Sequence, residues 1–207
     1  MIARSAALLL SLGLLGSTTG CAPLVVGAGA AGGVGVAHDR RTTGTIVEDQ
    51  SIEWKADTEM NKDPELADPE RAHIDVTSYN NVVLLSGEVV TPALRQRAAE
   101  IVRYVPEVKL VYNELLVAPP SSPEDRAIDA AVTVQVKAAL LQISLPDFDP
   151  TRVKVVTERG TVYLFGLLWP DEANAVVETV RYLKGVQQVV KLFEYIQLPQ
   201  APASAPQ

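Results

Sequence analysis

"IDVTSYNNVVLLSG" (residues 74–87) and "VKVVTERGTVYLFG" (residues 153–166) are two versions of one hairpin, and this repeat is the strongest indication of the fold. In both stretches apolar residues alternate with polar ones on either side of a short turn, the pattern of two antiparallel strands. Matching apolar positions, and the glycines Gly87 and Gly166, are separated by a constant 79 residues. Further on, "VRYVPEV" (residues 102–108) matches "VRYLKGV" (residues 180–186). The chain therefore contains a duplicated structural unit.

Each unit is predicted to run helix, strand, strand, helix, strand. In the second unit Ser122 and Pro123 are suited to the N-cap and first position of a helix. Apolar residues then recur with a helical period and are expected to face the core: Ile128, Val132, Val136, Ala139, Leu140 and Ile143. Pro170 opens a second helix, and residues 186–196 form the last strand. In the first unit we predict helices near residues 48–60 and 92–105, with strands at 73–78, 82–89 and 108–117.

This order predicts an α+β fold of two tandem domains. In each domain two helices would pack on one face of a three-stranded mixed sheet. Gly87 and Gly166 close the second strand of each hairpin, and we interpret them as structural glycines that mark a bulge or a close backbone approach.

The N-terminus has the pattern of a secretory signal. Arg4 precedes an apolar segment at residues 6–16, which is too short to span a bilayer, and small residues then lead to Cys21, the single cysteine. Gly20 before Cys21 fits a bacterial lipobox, whereas Thr18 stands where leucine is usual. We therefore predict a signal peptide at residues 1–20 and a lipid attached to Cys21. An ordinary signal peptide beside an incidental cysteine is the alternative.

The remaining boundaries follow from composition. We expect a Gly/Ala-rich tether at residues 21–44, a first domain at 45–118, a Pro/Ser linker at 119–123, a second domain at 124–197 and a disordered tail at 198–207. Ala22 follows the cysteine in place of an aspartate, which favours the outer membrane over the inner membrane.

Tandem units of this kind behind a signal peptide are similar to BON domains, and the chain resembles the dual-BON outer-membrane lipoprotein family. The resemblance is carried by "DRRTTGTIVEDQSIE" (39–53), "IDVTSY" (74–79), "VYNEL" (111–115) and "VKVVTERGTVYLFGLL" (153–168), and covers about residues 21–197. It implies a non-catalytic lipoprotein that faces the periplasm, binds anionic phospholipid mostly through the second domain and supports outer-membrane integrity. The covalent lipid on Cys21 is the only cofactor expected.

Charge independently favours the second domain as the part that contacts lipid. Residues 45–118 carry a net charge of −7 and residues 124–196 a net charge of −2, and an acidic surface is repelled by anionic head groups. The outer face of the first helix of the second domain mixes apolar and cationic residues, as an interfacial helix does. The candidate lipid-binding residues are Arg126, Ala130, Val134, Lys137, Leu141 and the more distant Trp169.

Other interpretations remain open. Val134 and Leu141 could instead pack against the first domain, and Trp169 could be a core residue. The units could act as a protein–protein adaptor for an envelope assembly, with lipid only as the anchor, or as a structural spacer.

Several function classes lack support in the sequence. With a net charge of −7 and no basic run, a nucleic-acid partner is not expected. No catalytic triad order or metal-ligand spacing is present, so neither an enzyme nor a metal site is predicted. His38 falls in the tether, and His73, at a strand start, is expected to point to solvent.

Overall fold

The first copy of the unit forms a mixed sheet with a broken last strand. A computed structural model describes residues 39–196. The first copy consists of α1 (Thr43–Met60), β1 (Ala72–Tyr79), β2 (Val82–Val89), α2 (Pro92–Arg103), β3 (Leu110–Asn113) and β4 (Leu116–Val117). Strand β2 pairs antiparallel with β1 and parallel with both β3 and β4. The single strand predicted at 108–117 is interrupted where Leu115 turns into the core and is buried.

The second copy repeats this order with an unbroken last strand. It consists of α3 (Pro123–Leu140), a short 3₁₀ turn (Pro150–Arg152), β5 (Lys154–Glu158), β6 (Thr161–Leu168), α4 (Pro170–Val180) and β7 (Gln188–Tyr195). Strand β6 pairs antiparallel with β5 and parallel with β7. Ser122 caps α3 by accepting a hydrogen bond from the Asp125 backbone, and Pro123 occupies the first turn. The predicted α+β class and tandem arrangement are confirmed.

Each domain buries one face of its sheet under its two helices. Alternate residues of β2, such as Val83 and Leu85, pack against α1 and α2, while Val162 and Leu164 of β6 pack against α3 and α4. Alternation along a strand sends the intervening side chains to the opposite face. Both opposite faces carry large apolar residues, so each sheet requires a second covering layer.

The two sheets provide that layer for each other. Tyr79 and Leu84 of the first sheet form a buried cluster with Tyr163 and Phe165 of the second. The rings of Tyr79 and Phe165 stack with their centroids 5.9 Å apart. The two domains therefore pack as helices, sheet, sheet, helices, joined through a sheet-to-sheet contact.

A buried carboxylate fastens each first helix to the hairpin turn of its own domain. Asp49 accepts hydrogen bonds from the backbone of Asn80 and Asn81, both 2.8 Å long. Asp129 accepts bonds from the backbone of Arg159 at 2.8 Å and of Gly160 at 2.9 Å. All four turn residues have positive φ angles, as a tight hairpin turn requires.

This bond explains one error of the sequence analysis. Ile128 was expected in the core of α3, but it is exposed, and Asp129 is buried beside Val132, Val136 and Leu140. A charged residue was not considered for a core position, although its bonds to the turn offset the cost of burying it.

The two structural glycines lie where backbone comes close. Gly87 has a φ of +109°, and a side chain there would collide with the carbonyl oxygen of His73 on the paired strand. At Gly166 an added Cβ would lie 2.9 Å from Leu168 Cγ and 3.1 Å from the Arg152 carbonyl oxygen. Gly87 therefore has space only for glycine, whereas a side chain at Gly166 would force Leu168 to shift.

Candidate functional site

The outer face of α3 presents two large aliphatic side chains to solvent. Val134 is 67% exposed and Leu141 is 68% exposed. The first domain covers neither of them, because it packs on the opposite side of the second sheet. The alternative that these residues form an interdomain contact is therefore excluded.

Beside this face lies an open groove of about 600 Å³. One side is formed by α3, through Val134, Lys137 and Leu141. The floor is formed by the 3₁₀ turn that precedes β5 and by β5 itself. The first domain supplies Arg41 and Tyr79 at the opposite wall. The full lining is Arg41, Tyr79, Val134, Lys137, Ala138, Leu140, Leu141, Pro150, Thr151, Val153, Lys154 and Val155.

The charged lining of the groove is entirely cationic. It contains Arg41, Lys137 and Lys154, and no carboxylate among residues 39–196 lines it. Lys154 Nζ bonds to Glu53 Oε1 at 2.7 Å and to the Ser78 carbonyl oxygen at 3.1 Å, which fixes its position. Lys137 is exposed and forms no ion pair with any residue that the structure describes. Lys137 is therefore the cation most available to an added anion.

Arg41 is held rigidly against the aromatic wall. Its guanidinium lies 3.8 Å from the centroid of the Tyr79 ring and bonds to Asp39 and Asp49. Burial alone would raise the pKa of Asp39, but the hydrogen bonds and charge of Arg41 outweigh burial and lower it. The Tyr79 hydroxyl accepts a bond from the Leu167 backbone at 3.2 Å. Arg41 thus shapes the groove, while its charge is largely balanced.

The segment that precedes α1 is tied to both domains. Arg40 forms two bonds to the carboxylate of Glu172 in α4, at 2.6 and 2.9 Å, and one to the Leu167 carbonyl oxygen at 3.0 Å. The next residue, Arg41, lines the groove. We predicted that the tether continues to residue 44, but Thr42 caps α1, which begins at Thr43. The chain therefore enters the folded part at the edge of the groove.

The structure separates the six candidate lipid-binding residues. Val134, Lys137 and Leu141 line the groove, whereas Arg126 is half-buried and Ala130 is exposed nearer the start of α3.

Trp169 lies elsewhere. It lines another depression, where Asp147, Asp171 and Glu172 supply carboxylates. Trp169 therefore does not lie beside the groove that Val134, Lys137 and Leu141 line, and its contact with lipid stays a prediction.

Arg41, Lys154 and Tyr79 complete the groove and were not predicted from the sequence. None of them shares a helical face with Val134, and the sheet-to-sheet contact that assembles them depends on packing across domains. The one available signal was the polar–apolar alternation of β5, which places Lys154 on the face opposite to Val153 and Val155.

His73 also differs from its prediction. Its side chain is 18% exposed and points inward, with Nδ1 at 3.4 Å from Glu88 Oε2. Glu88 is the residue paired with His73 across β1 and β2. The Glu88 side chain lies between the domains, where it accepts a hydrogen bond from Arg159 of the second domain. His38 and Cys21, like the signal peptide, the start of the tether and the tail, fall outside the described residues.

Comparison with known proteins agrees with this architecture. The BON domain model matches residues 48–119 and 128–197. The chain is 36% identical over 186 residues to the outer membrane lipoprotein DolP of Haemophilus influenzae. The alignment covers 88% of this chain and 94% of DolP. It is 35% identical over 159 residues to the 21 kDa hemolysin of Actinobacillus pleuropneumoniae, covering 77% and 80%.

Among solved structures, one similar chain is the C-terminal domain of CdsD, a type III secretion protein of Chlamydia trachomatis. It has a TM-score of 0.28 and 16% identity, covering 72% of this chain and 67% of that chain.

Within residues 39–196 no helix has the length and apolar character needed to cross a bilayer.

Both domain matches and the high mutual coverage with an outer membrane lipoprotein agree with the duplicated αββαβ fold. The chain belongs to the BON-domain family and is a dual-BON, lipid-anchored lipoprotein of the outer membrane.

Proposed function

We propose that this lipoprotein binds anionic phospholipid at the periplasmic face of the outer membrane, through the α3 groove, and has no catalytic role. The observation that carries the proposal is the exposure of Val134 and Leu141 next to Lys137, which has no ion pair within the described part of the chain. An interfacial helix buries aliphatic side chains against the acyl chains and keeps a neighbouring cation at the level of the head groups. Lys154, fixed at the floor of the groove, is a second cation for the same head group.

The charge distribution supports the same orientation. The first domain has a net charge of −7 over residues 45–118 and the second a net charge of −2 over residues 124–196. An anionic membrane therefore repels the first domain more strongly, and the groove belongs mainly to the second.

The covalent anchor would make a weak site effective. Seventeen residues lie between Cys21 and Asp39, so the intervening chain can span at most about 60 Å. Because the folded part begins beside Arg41, a lipid on Cys21 would keep the groove within that distance of the membrane. A tethered site acts at a high effective concentration, so even millimolar intrinsic affinity is sufficient for occupancy.

The test is vesicle sedimentation with residues 22–207, which lack Cys21. We expect recovery with vesicles that contain phosphatidylglycerol or cardiolipin and little recovery with neutral vesicles. Each lysine near an anionic surface contributes about 1 kcal/mol, so Lys137→Glu should weaken binding by about 2 kcal/mol, roughly 30-fold. Lys184→Glu is the matched control, because Lys184 is exposed in the same domain and does not line the groove.

The proposal fails if neutral and anionic vesicles recover the protein equally. It also fails if Lys137→Glu and Lys184→Glu have the same effect, since binding would then follow net charge alone.

A protein-binding role is the second candidate. The broken edge of the first sheet exposes Tyr112 of β3 together with Leu116 and Val117 of β4, and edge strands with apolar side chains can pair with another chain. A photo-crosslinker at Tyr112 would test this role in cells. A discrete adduct there, with vesicle binding absent, would favour the adaptor over the lipid-binding function.

A further inference from the structure

Three side chains with metal-binding atoms meet between the two domains, and none of them lines the lipid groove. His73 comes from β1, Glu88 from β2 and Glu158 from the end of β5. One potential ligand atom from each residue lies within 4.8 Å of the other two. Two domains therefore contribute to one cluster of an imidazole and two carboxylates.

The cluster contains buried atoms without partners. Glu158 is 6% exposed, and its Oε1 atom makes no hydrogen bond within the described residues. His73 Nδ1 is also buried without a hydrogen bond, although Glu88 Oε2 is 3.4 Å away. A buried polar atom without a partner is costly, so these atoms point to an occupant that residues 39–196 do not supply.

The charges of the cluster are incompletely balanced. Glu88 is fully buried and ion-paired with Arg159, and it also accepts a bond from the Ser121 backbone at 3.0 Å. Burial acts to raise the pKa of Glu88, but the bonds from Arg159 and Ser121 lower it. For Glu158, burial and the negative charge of Glu88 raise the pKa to about 7. Arg159 therefore compensates one carboxylate, and the second requires a proton or another cation.

We propose that His73, Glu88 and Glu158 bind one divalent transition-metal ion, for which zinc is the probe. Imidazole nitrogen and carboxylate oxygen are zinc ligands with bonds of about 2.0–2.2 Å, which places two ligand atoms of a tetrahedral site about 3.4 Å apart. His73 Nδ1 and Glu88 Oε2 already have that separation, at 3.4 Å. Rotation of the Glu158 carboxyl closes the third side, and water completes the coordination.

The site is structural in character. Its ligands come from both domains, so the ion links β1 and β2 to β5 at one end of the sheet-to-sheet contact. It shares no residue with the lining of the lipid groove. Metal binding and lipid binding can therefore be tested separately.

The experiment uses residues 22–207, which lack Cys21, freed of metal with chelator and dialysed at pH 7.5 against 10 μM zinc. Bound metal is then measured by elemental analysis. We expect about one zinc ion per chain in the wild type, and a rise of about 4 °C in the unfolding temperature on adding zinc. His73→Gln and Glu158→Gln should each lose both effects. His38→Gln, which changes the other histidine, should retain them.

Circular dichroism of the metal-free variants distinguishes a lost ligand from a lost fold. Folded His73→Gln and Glu158→Gln proteins that bind no zinc support the site. Absence of stoichiometric zinc in the wild type overturns it, as does zinc retained by either variant while folded. Zinc lost only in His38→Gln also overturns it, because the ion would then bind the tether. If neither cluster variant folds, cobalt in the wild type decides the question: the absence of imidazole-coordinated cobalt absorption would overturn the site.

Discussion

The first helices of the two domains share their inner faces and differ on their outer faces. Core residues of α1 (Ile52, Ala56, Met60) correspond to those of α3 (Val132, Val136, Leu140), all buried and 80 residues apart. The turn-binding carboxylates Asp49 and Asp129 keep the same separation. On the outer face, Trp54 stands where α3 has Val134, Asp57 where it has Lys137, and Asn61 where it has Leu141.

This difference shows which parts of a duplicated unit are fixed by folding. Burial and the carboxylate-to-turn bond constrain one side of each helix, whereas the other side is free to diverge. In α3 the divergence produces an apolar and cationic surface, and in α1 it produces an acidic surface with one exposed tryptophan. Three experiments test this difference between the two helices.

The largest effect is expected at the shared inner carboxylates. Asp49→Ala removes the two bonds to Asn80 and Asn81, a 2.6 Å bond from Ser78 Oγ and the ion pair with Arg41. It should lower the free energy of unfolding by about 3–5 kcal/mol. Asp129→Ala removes only two backbone bonds and should cost about 2–3 kcal/mol.

Urea unfolding followed by circular dichroism measures both losses, and Glu124→Ala, at an exposed position on α3, is the control. An equal loss at Asp49 and Asp129 would show that the extra partners of Asp49 contribute nothing.

An intermediate effect is expected from exchanging the outer-face residues. Val134→Trp places on α3 the aromatic residue that α1 carries at the same position, and tryptophan favours the membrane interface. Vesicle binding should strengthen by about 1 kcal/mol, roughly fivefold. The reciprocal Trp54→Val should change binding less than about twofold, because Trp54 does not line the groove.

Both affinities can be measured by tryptophan fluorescence or sedimentation. A substantial loss in Trp54→Val would mean that the first domain also contacts the membrane.

The smallest effect is expected at Asp57. Desolvation by surrounding protein atoms, together with the negative charges of Glu53 and Asp75, raises the pKa of Asp57 to about 6. A carboxyl with a raised pKa in the folded state binds its proton more tightly there than in the unfolded state, so it destabilises the fold as pH rises from about 4 through 6. Asp57→Asn should therefore raise the unfolding temperature at pH 7.5 and have no effect near pH 4.

The gain should be below about 1 kcal/mol, since this exposed side chain is screened by solvent. A gain of equal size at pH 4 would mean that the charge of Asp57 is not its cause.

The repeat allowed most of the fold to be predicted from sequence, because two copies with matched apolar positions define the same elements twice. The helix starts at Pro123 and Pro170 and the limits of β2 were recovered. The break before Leu116 was not, since it depends on Leu115 turning inward, and nothing in that stretch signals the turn. For the candidate site, residue spacing identifies one face of a helix, and this was sufficient to predict Val134, Lys137 and Leu141.

The rest of that site required tertiary structure. Arg41 reaches the groove only because the sheets pack together, and Trp169 is separated from it by the path of the chain before α4. The His73 cluster was missed for the same reason, since its carboxylates are distant in sequence and belong to different domains.

The contact between the sheets also limits what truncation can reveal. Cut from its companion, the C-terminal half would display Tyr163 and Phe165 to water, and the N-terminal half would display Leu84. Such halves would self-associate or adhere to any apolar surface, lipid included. Packing of the two sheets hides these residues in the whole chain, so affinities measured on a lone half would exaggerate its attraction to membranes.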